Sequence, residues 1–175
     1  MKLKYIIIFC LSTLMMSFGL SKHIRKKVDK EIKSIFNIEQ FTLNPVVFSS
    51  EVTEGLPAKF EEDNLFEIKV EQDLLGYAYV SKAPSKTDEF EYLILFDTDF
   101  IIVKSKVLVY REDYGGEIGS KRWLRQFIGK TQNDTLTYGN NIAAISGATI
   151  SVRSMTKAVN DVLASIKILH TKKLL

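Results

Sequence analysis

The stretch FEYLILFDTDFIIVKSKVLVY, residues 90–110, decides the fold. Phe90 to Phe96 is rich in aromatic and branched side chains, polar Asp97-Thr98-Asp99 follows, and a second such run extends from Phe100 to Tyr110. Side chains of this kind fit a pleated, partly buried surface, and a polar three-residue turn between two such runs signals an antiparallel hairpin. In the second run Lys104 and Lys106 alternate with Val103, Ser105 and Val107, so one face of the sheet is expected to be wet.

Toward the N-terminus, Val46 to Ser49, Leu65 to Val70 and Gly76 to Val80 read as further short strands, with Leu56-Pro57 and Ala83-Pro84-Ser85 as breaks. Earlier still, Leu20, Ile24, Val28, Ile32, Ile35 and Phe36 draw one apolar stripe along a helix whose other face is lysine-rich. Toward the C-terminus, Arg111 to Gly119 is a polar, glycine-bearing loop. Ser120 is placed to cap a short helix carrying Trp123, Leu124, Phe127 and Ile128 on one face, with Gly129 as its stop. A second loop, Lys130 to Ala148, leads to a final helix with Val152, Met155, Val159, Val162, Leu163 and Ile166 as its buried stripe. The expected architecture is α+β: a mainly antiparallel sheet flanked by N- and C-terminal helices, in one domain over residues 20–175.

The chain has 175 residues, with 24 basic against 21 acidic, a balance that does not point to nucleic acid. The sum hides an asymmetry. Residues 39–99 carry 4 basic and 14 acidic groups, and residues 100–175 carry 12 and 5, which favours the C-terminal half as home for an anionic ligand. The one cysteine, Cys10, lies in an apolar N-terminal run, and the two histidines, His23 and His170, lie near opposite ends. A disulfide framework, a histidine triad and a two-histidine metal site are therefore not expected. Lys2 and Lys4 precede the apolar run from Tyr5 to Leu20, and Ser17 and Gly19 supply small residues for cleavage after Gly19. Residues 1–19 read as a signal peptide or an uncleaved membrane anchor, which puts the domain in the periplasm or holds it at the membrane on the extracytoplasmic side. The lysine-rich helix face offers contact to an anionic membrane surface, although packing of its stripe on its own domain is the plainer reading.

Gly129-Lys130-Thr131 ends like a phosphate-binding loop, but the position five residues before Gly129 is Leu124 rather than glycine. Gly115-Gly116-Glu117-Ile118-Gly119 lacks dinucleotide-fingerprint spacing, and nothing brings Glu112, Asp113 and Glu117 together as an acid/base group. The informative segment is Ser146-Gly147-Ala148-Thr149-Ile150-Ser151, just ahead of the last helix. Gly147 and Ala148 add almost no bulk, so the Thr149 hydroxyl can stand clear where helix-start amides favour an anion. The plainer reading is a turn in which Ser146, Thr149 or Ser151 merely caps the helix.

Ser146-Gly147-Ala148-Thr149, with Ser151 one residue further on, resembles the flavinylation motif of the FMN-binding domain family. That family includes the C subunit of the sodium-pumping NADH:quinone reductase and the G subunit of the Rnf complex. The resemblance extends from about Gly76 to Ile166. It implies an FMN-binding-domain-like fold and an electron-transfer flavoprotein. It further implies FMN joined through a phosphoester to Thr149 by a separate flavin transferase, and a membrane or periplasmic redox partner. The loop from Tyr110 to Ile118 stands where relatives have a Glu-Thr-Pro-Gly-type loop near the flavin, with Glu112 and Gly115 aligned; this implies Glu112, Tyr114, Gly115 and Gly116 as flavin neighbours. Arg153 is a candidate phosphate partner, an ordinary solvated arginine being the plainer reading. The family's motif commonly has an aspartate three residues before the serine, where this chain has Ala143. That departure favours the alternative, a module that holds FMN or another phosphate ligand non-covalently, or a cofactor-free interaction domain.

Overall fold

The computed structural model describes residues 20–175, so the signal-peptide or anchor reading of residues 1–19 and the sole cysteine lie outside the described residues. The element order is α1 (Lys22–Phe36), β1 (Thr42–Pro45), the one-turn helix α2 (Ser50–Thr53), β2 (Leu65–Val70), β3 (Asp73–Pro84), β4 (Glu89–Phe96), β5 (Ile102–Val109), α3 (Lys121–Leu124) and α4 (Thr149–Thr171). The strands form one antiparallel sheet in sequence order, β1 to β5. This is the α+β arrangement expected, with a helix from each end of the chain on opposite faces.

Alternation along β4 explains why its sequence is almost wholly apolar. Tyr92, Ile94 and Phe96 join the core beneath α4, whereas Leu93 and Leu95 join the core beneath α1. A strand covered on both faces has no side to leave polar. On the α4 side, Val152, Met155, Val159, Val162, Leu163 and Ile166 are all buried, as their spacing requires. On the other side, Ile24, Val28 and Ile32 of α1 are buried against Ile68, Ala78, Val80, Leu93, Leu95 and Leu108. Burying each such side chain contributes about 1.5–3 kcal/mol. The α1 stripe therefore serves its own domain, and Lys22, Lys26, Lys30 and Lys33 lie exposed on the opposite face.

Four local expectations are corrected. The strand lies at Thr42–Pro45, not at Val46 to Ser49, and it pairs from Thr42↔Lys69 to Pro45↔Phe66. As an edge strand it is mostly exposed, so it carries no hydrophobic period, and only the Val46 N–H continues the ladder, to Leu65 O at 2.8 Å. Ala83 and Pro84 end β3 instead of breaking it. Phe100 is in a left-handed conformation with φ 56° and belongs to a five-residue connection; Asp97 Oδ1 accepts from the Asp99 and Ile101 N–H groups at 3.0 and 2.9 Å. The face carrying Lys104 and Lys106 is not wet. Both lysines reach Glu31 of α1, at 3.5 and 3.6 Å, and their side chains are 19% and 32% exposed.

Ser120 Oγ caps α3, accepting from the Trp123 N–H at 3.3 Å. Trp123, Leu124 and Phe127 are buried, but Ile128 is 48% exposed. A 3₁₀ turn over Arg125–Phe127 follows α3, and its tighter winding carries Ile128 off the apolar face. At the outer edge of β5, the Ile102 N–H donates to Lys130 O at 2.9 Å and Ile102 O accepts from the Gly129 N–H at 2.7 Å.

Candidate functional site

Thr149 is the first residue of α4, and the residue before it, Ala148, occupies the cap position with no side-chain hydrogen bond to the helix. The plain capping turn is therefore not what forms here. Gly147 takes φ 77°, a left-handed conformation that suits glycine, and the turn closes by an Ala148 N–H bond to Ile145 O at 3.2 Å. Ser146, Gly147, Thr149 and Ile150 are exposed, while Ala148 and Ser151 are buried at 3% exposure each. Ser151 Oγ lies 3.1 Å from the Tyr110 hydroxyl, which in turn donates to Tyr114 O at 3.2 Å. Tyr110 has one proton to give, so Ser151 is the donor between them.

The glycine-bearing loop meets this turn directly. A Cβ added to Gly115, itself at φ 78°, would stand 2.6 Å from Ala148 Cβ and 3.2 Å from Gly147 O. Only a residue without a side chain lets the loop close on the small residues before Thr149. Together the two segments open a cavity of about 510 Å³, lined by Tyr110, Glu112, Tyr114, Gly147, Ala148, Thr149, Ile150 and Ser151, with Lys86 from the β3–β4 turn. Its size falls in the range of small-ligand and cofactor pockets. Tyr114, 82% exposed, and Ile150, 49% exposed, put apolar surface at its rim.

Glu112 is held by the β3–β4 turn. Its Oε1 accepts from the Ser85 hydroxyl at 2.6 Å and the Thr87 N–H at 2.7 Å, and its Oε2 accepts from the Thr87 hydroxyl at 2.9 Å. Asp88 O also lies 2.7 Å from the Ser85 hydroxyl, whose one proton favours the charged Glu112 carboxylate as the stronger acceptor. These donors, the Ser85 hydroxyl foremost, hold the carboxyl at about 2, below its usual 4.5.

Three residues expected at the site do not line the cavity. Gly116 begins the 3₁₀ turn Gly116–Gly119 and does not line the cavity. Arg153 has its guanidinium 4.9 Å from the centroid of the Tyr138 ring and does not line it either. Ser146, exposed in the turn, is also outside the lining. Lys86, Tyr110 and Ile150 were not singled out in the sequence, and among the described residues Lys86 is the only cationic one in the lining. No spacing signal ties Lys86 to Thr149; only the tertiary fold does.

The approach to Thr149 is fixed from the neighbouring helices. Trp123 Nε1 donates to Ala143 O at 2.8 Å, and the Ala143 N–H donates to Gln126 Oε1 at 2.8 Å. The Ala143 side chain remains exposed. Asn160 of α4 holds Leu136 at both backbone groups, at 2.9 and 2.7 Å. Trp123 is thus a buried strut, edge-on to Phe127, and not a stacking platform for a ligand.

A larger cavity, about 750 Å³, lies at the start of α1 and is lined by Glu61, Asp63, Glu89 and Glu91 together with Lys59 and Lys82. Its acidic wall does not suit a phosphate, and it does not include Thr149. Among the described residues no group of three or more His, Cys, Asp or Glu is placed to hold a metal ion, and no helix is long and apolar enough to cross a membrane.

Residues 86–164 match the family model described as the FMN-binding domain, so the resemblance read from the Ser146 motif is met over the part of the chain that builds the cavity. No curated protein sequence matches. Among solved structures, the crystal structure of NqrC from Shewanella oneidensis is similar, with a TM-score of 0.54 at 14% identity, covering 81% of this chain and 92% of that one. At that identity the likeness is one of fold, and it extends beyond the family match to most of the α+β architecture.

Proposed function

We propose that this chain is an electron-transfer flavoprotein that carries FMN through a phosphoester on Thr149 and works outside the cytoplasm. The observation that carries this reading is the hydroxyl of Thr149. It is exposed at an uncapped helix start, beside a cavity that the 110–119 loop closes by apposing Gly115 to Ala148. The fit to FMN is chemical as well as spatial. Helix-start amides and Lys86 suit a phosphate, whereas Tyr114 and Ile150 suit a flat apolar ring.

When bound, FMN supplies one- and two-electron chemistry that the described residues, which include no cysteine, do not themselves offer. The protein's part is to hold and orient. Thr149 anchors, Gly115 and Ala148 keep bulk away from the anchor, and the open rim leaves the ligand accessible to a redox partner. A tether also retains the cofactor in a compartment where free FMN is not resupplied. Residues 1–19 fit this placement as a signal peptide or anchor, and a flavin transferase is the maturation partner.

A second reading, FMN or another phosphate ligand held without a covalent bond, is favoured by Ala143. Co-expression with an active flavin transferase, followed by a denaturing gel viewed under ultraviolet light, separates the two. The tether predicts a fluorescent band that vanishes in Thr149→Val. A protein that is yellow when native but dark on the denaturing gel carries flavin without the bond. A colourless wild type from the same cells overturns FMN binding altogether.

A further inference from the structure

We infer that Lys86 is the residue that meets the phosphate at Thr149, and that Glu112 acts as its positioning residue and not as a flavin contact. The inference rests on the FMN reading above and deepens it.

Lys86 sits in the β3–β4 turn and is among the residues that line the Thr149 cavity. Its two neighbours in the chain, Ser85 and Thr87, are both fastened to Glu112 by three hydrogen bonds of 2.6, 2.7 and 2.9 Å. The carboxylate thus grips the turn on either side of Lys86 and fixes where the ammonium can reach. All three contacts consume acceptor capacity of Glu112, which leaves it little to offer a ligand. Its charge would oppose a phosphate, so a cation is needed on the same wall. Among the described residues no arginine or other lysine lines the cavity to provide one, and Arg153 stands over the Tyr138 ring. Lys86 is one of only 4 basic residues in the acidic stretch 39–99. The site therefore borrows its cation from the half of the chain that charge counting passed over.

The test uses the full chain with purified flavin transferase, FAD and magnesium. Covalent uptake is followed by fluorescence on denaturing gels, and the loaded proteins are compared by phosphorus-31 NMR. Lys86→Gln is expected to slow uptake about tenfold, the scale of one lost charge-assisted contact, and to move the phosphorus resonance. Lys86→Arg should restore both, and Glu112→Gln should move the resonance in the same direction by less. Because Lys86 is exposed, its melting temperature should match wild type, which separates this role from a structural one. An unmoved resonance in Lys86→Gln, or loss of uptake in Lys86→Arg as complete as in Lys86→Gln, overturns the inference while the tether stands. A dark wild-type band overturns the tether alone. Titration with free FMN then decides on Lys86: a Kd about tenfold weaker in Lys86→Gln supports the contact, and an equal Kd removes it.

Discussion

Helices α1 and α4 cover opposite faces of one sheet, and hydroxyl-bearing residues stand at the start of both, yet they are used differently. At α1 the Ser21 side chain accepts from the Ile24 N–H at 3.4 Å, and the left-handed Asn37 closes the far end. At α4 the capping position is taken by Ala148, and Ser146, Thr149 and Ser151 leave the helix start uncapped. A free hydroxyl beside free amides is a loss for local stability. Where a sequence has three hydroxyl residues at a helix start and uses none of them as its cap, the first helix amides are left without a side-chain partner.

The comparison can be broken most decisively at Thr149. Thr149→Val should abolish covalent flavin on a denaturing gel and leave the folding free energy within about 0.5 kcal/mol, because the side chain is exposed and caps nothing. A large drop in stability would make α4 an ordinary capped helix after all. Gly115→Ala comes next. A methyl 2.6 Å from Ala148 Cβ, at φ 78°, should cost about 2 kcal/mol in denaturant unfolding and open the cavity. Unchanged stability there would mean that the loop does not depend on the contact.

Smaller effects sharpen the contrast. Ser21→Ala should cost about 1 kcal/mol at α1, with no effect on flavin uptake. Ala143→Asp places a carboxylate at an exposed position whose backbone Trp123 and Gln126 already fix. It should raise the initial rate of flavinylation about threefold, on the scale of one exposed charge contact, and an unchanged rate would mean that the transferase does not read this position. The smallest effect is confined to acid. The folded pKa of Glu112, about 2, lies below its ordinary 4.5, so its stabilising contribution is complete above pH 4.5 and declines as pH falls toward 2. Glu112→Gln should flatten that part of the acid-unfolding curve.

Much of the fold was legible because both helices bury a regular stripe and the β4–β5 hairpin is bounded by a polar turn. The misreadings share a cause. Thr42–Pro45 is exposed on an edge, so the strand left no period to read. Lys104 and Lys106 suggested a wet face because their partner, Glu31, lies on a helix over 70 residues earlier. At the site, the run from Gly147 to Thr149 stands out because it is contiguous, and Gly115, expected only from the resemblance, does pack on Ala148. Lys86 was not, since nothing near it in sequence marks it. Arg153 was the opposite case, near in sequence but turned to Tyr138 in space.

The borders of the sheet carry a last consequence. β1 is only four residues long and ends in Pro45, which has no N–H to give, while the first residue of β5 is already bonded on its outer side to Gly129 and Lys130. The β1 margin therefore offers no long row of free backbone groups to another strand, and the β5 margin is closed at its start. Copies crowded together are thus poorly equipped to zip into ribbons through β1.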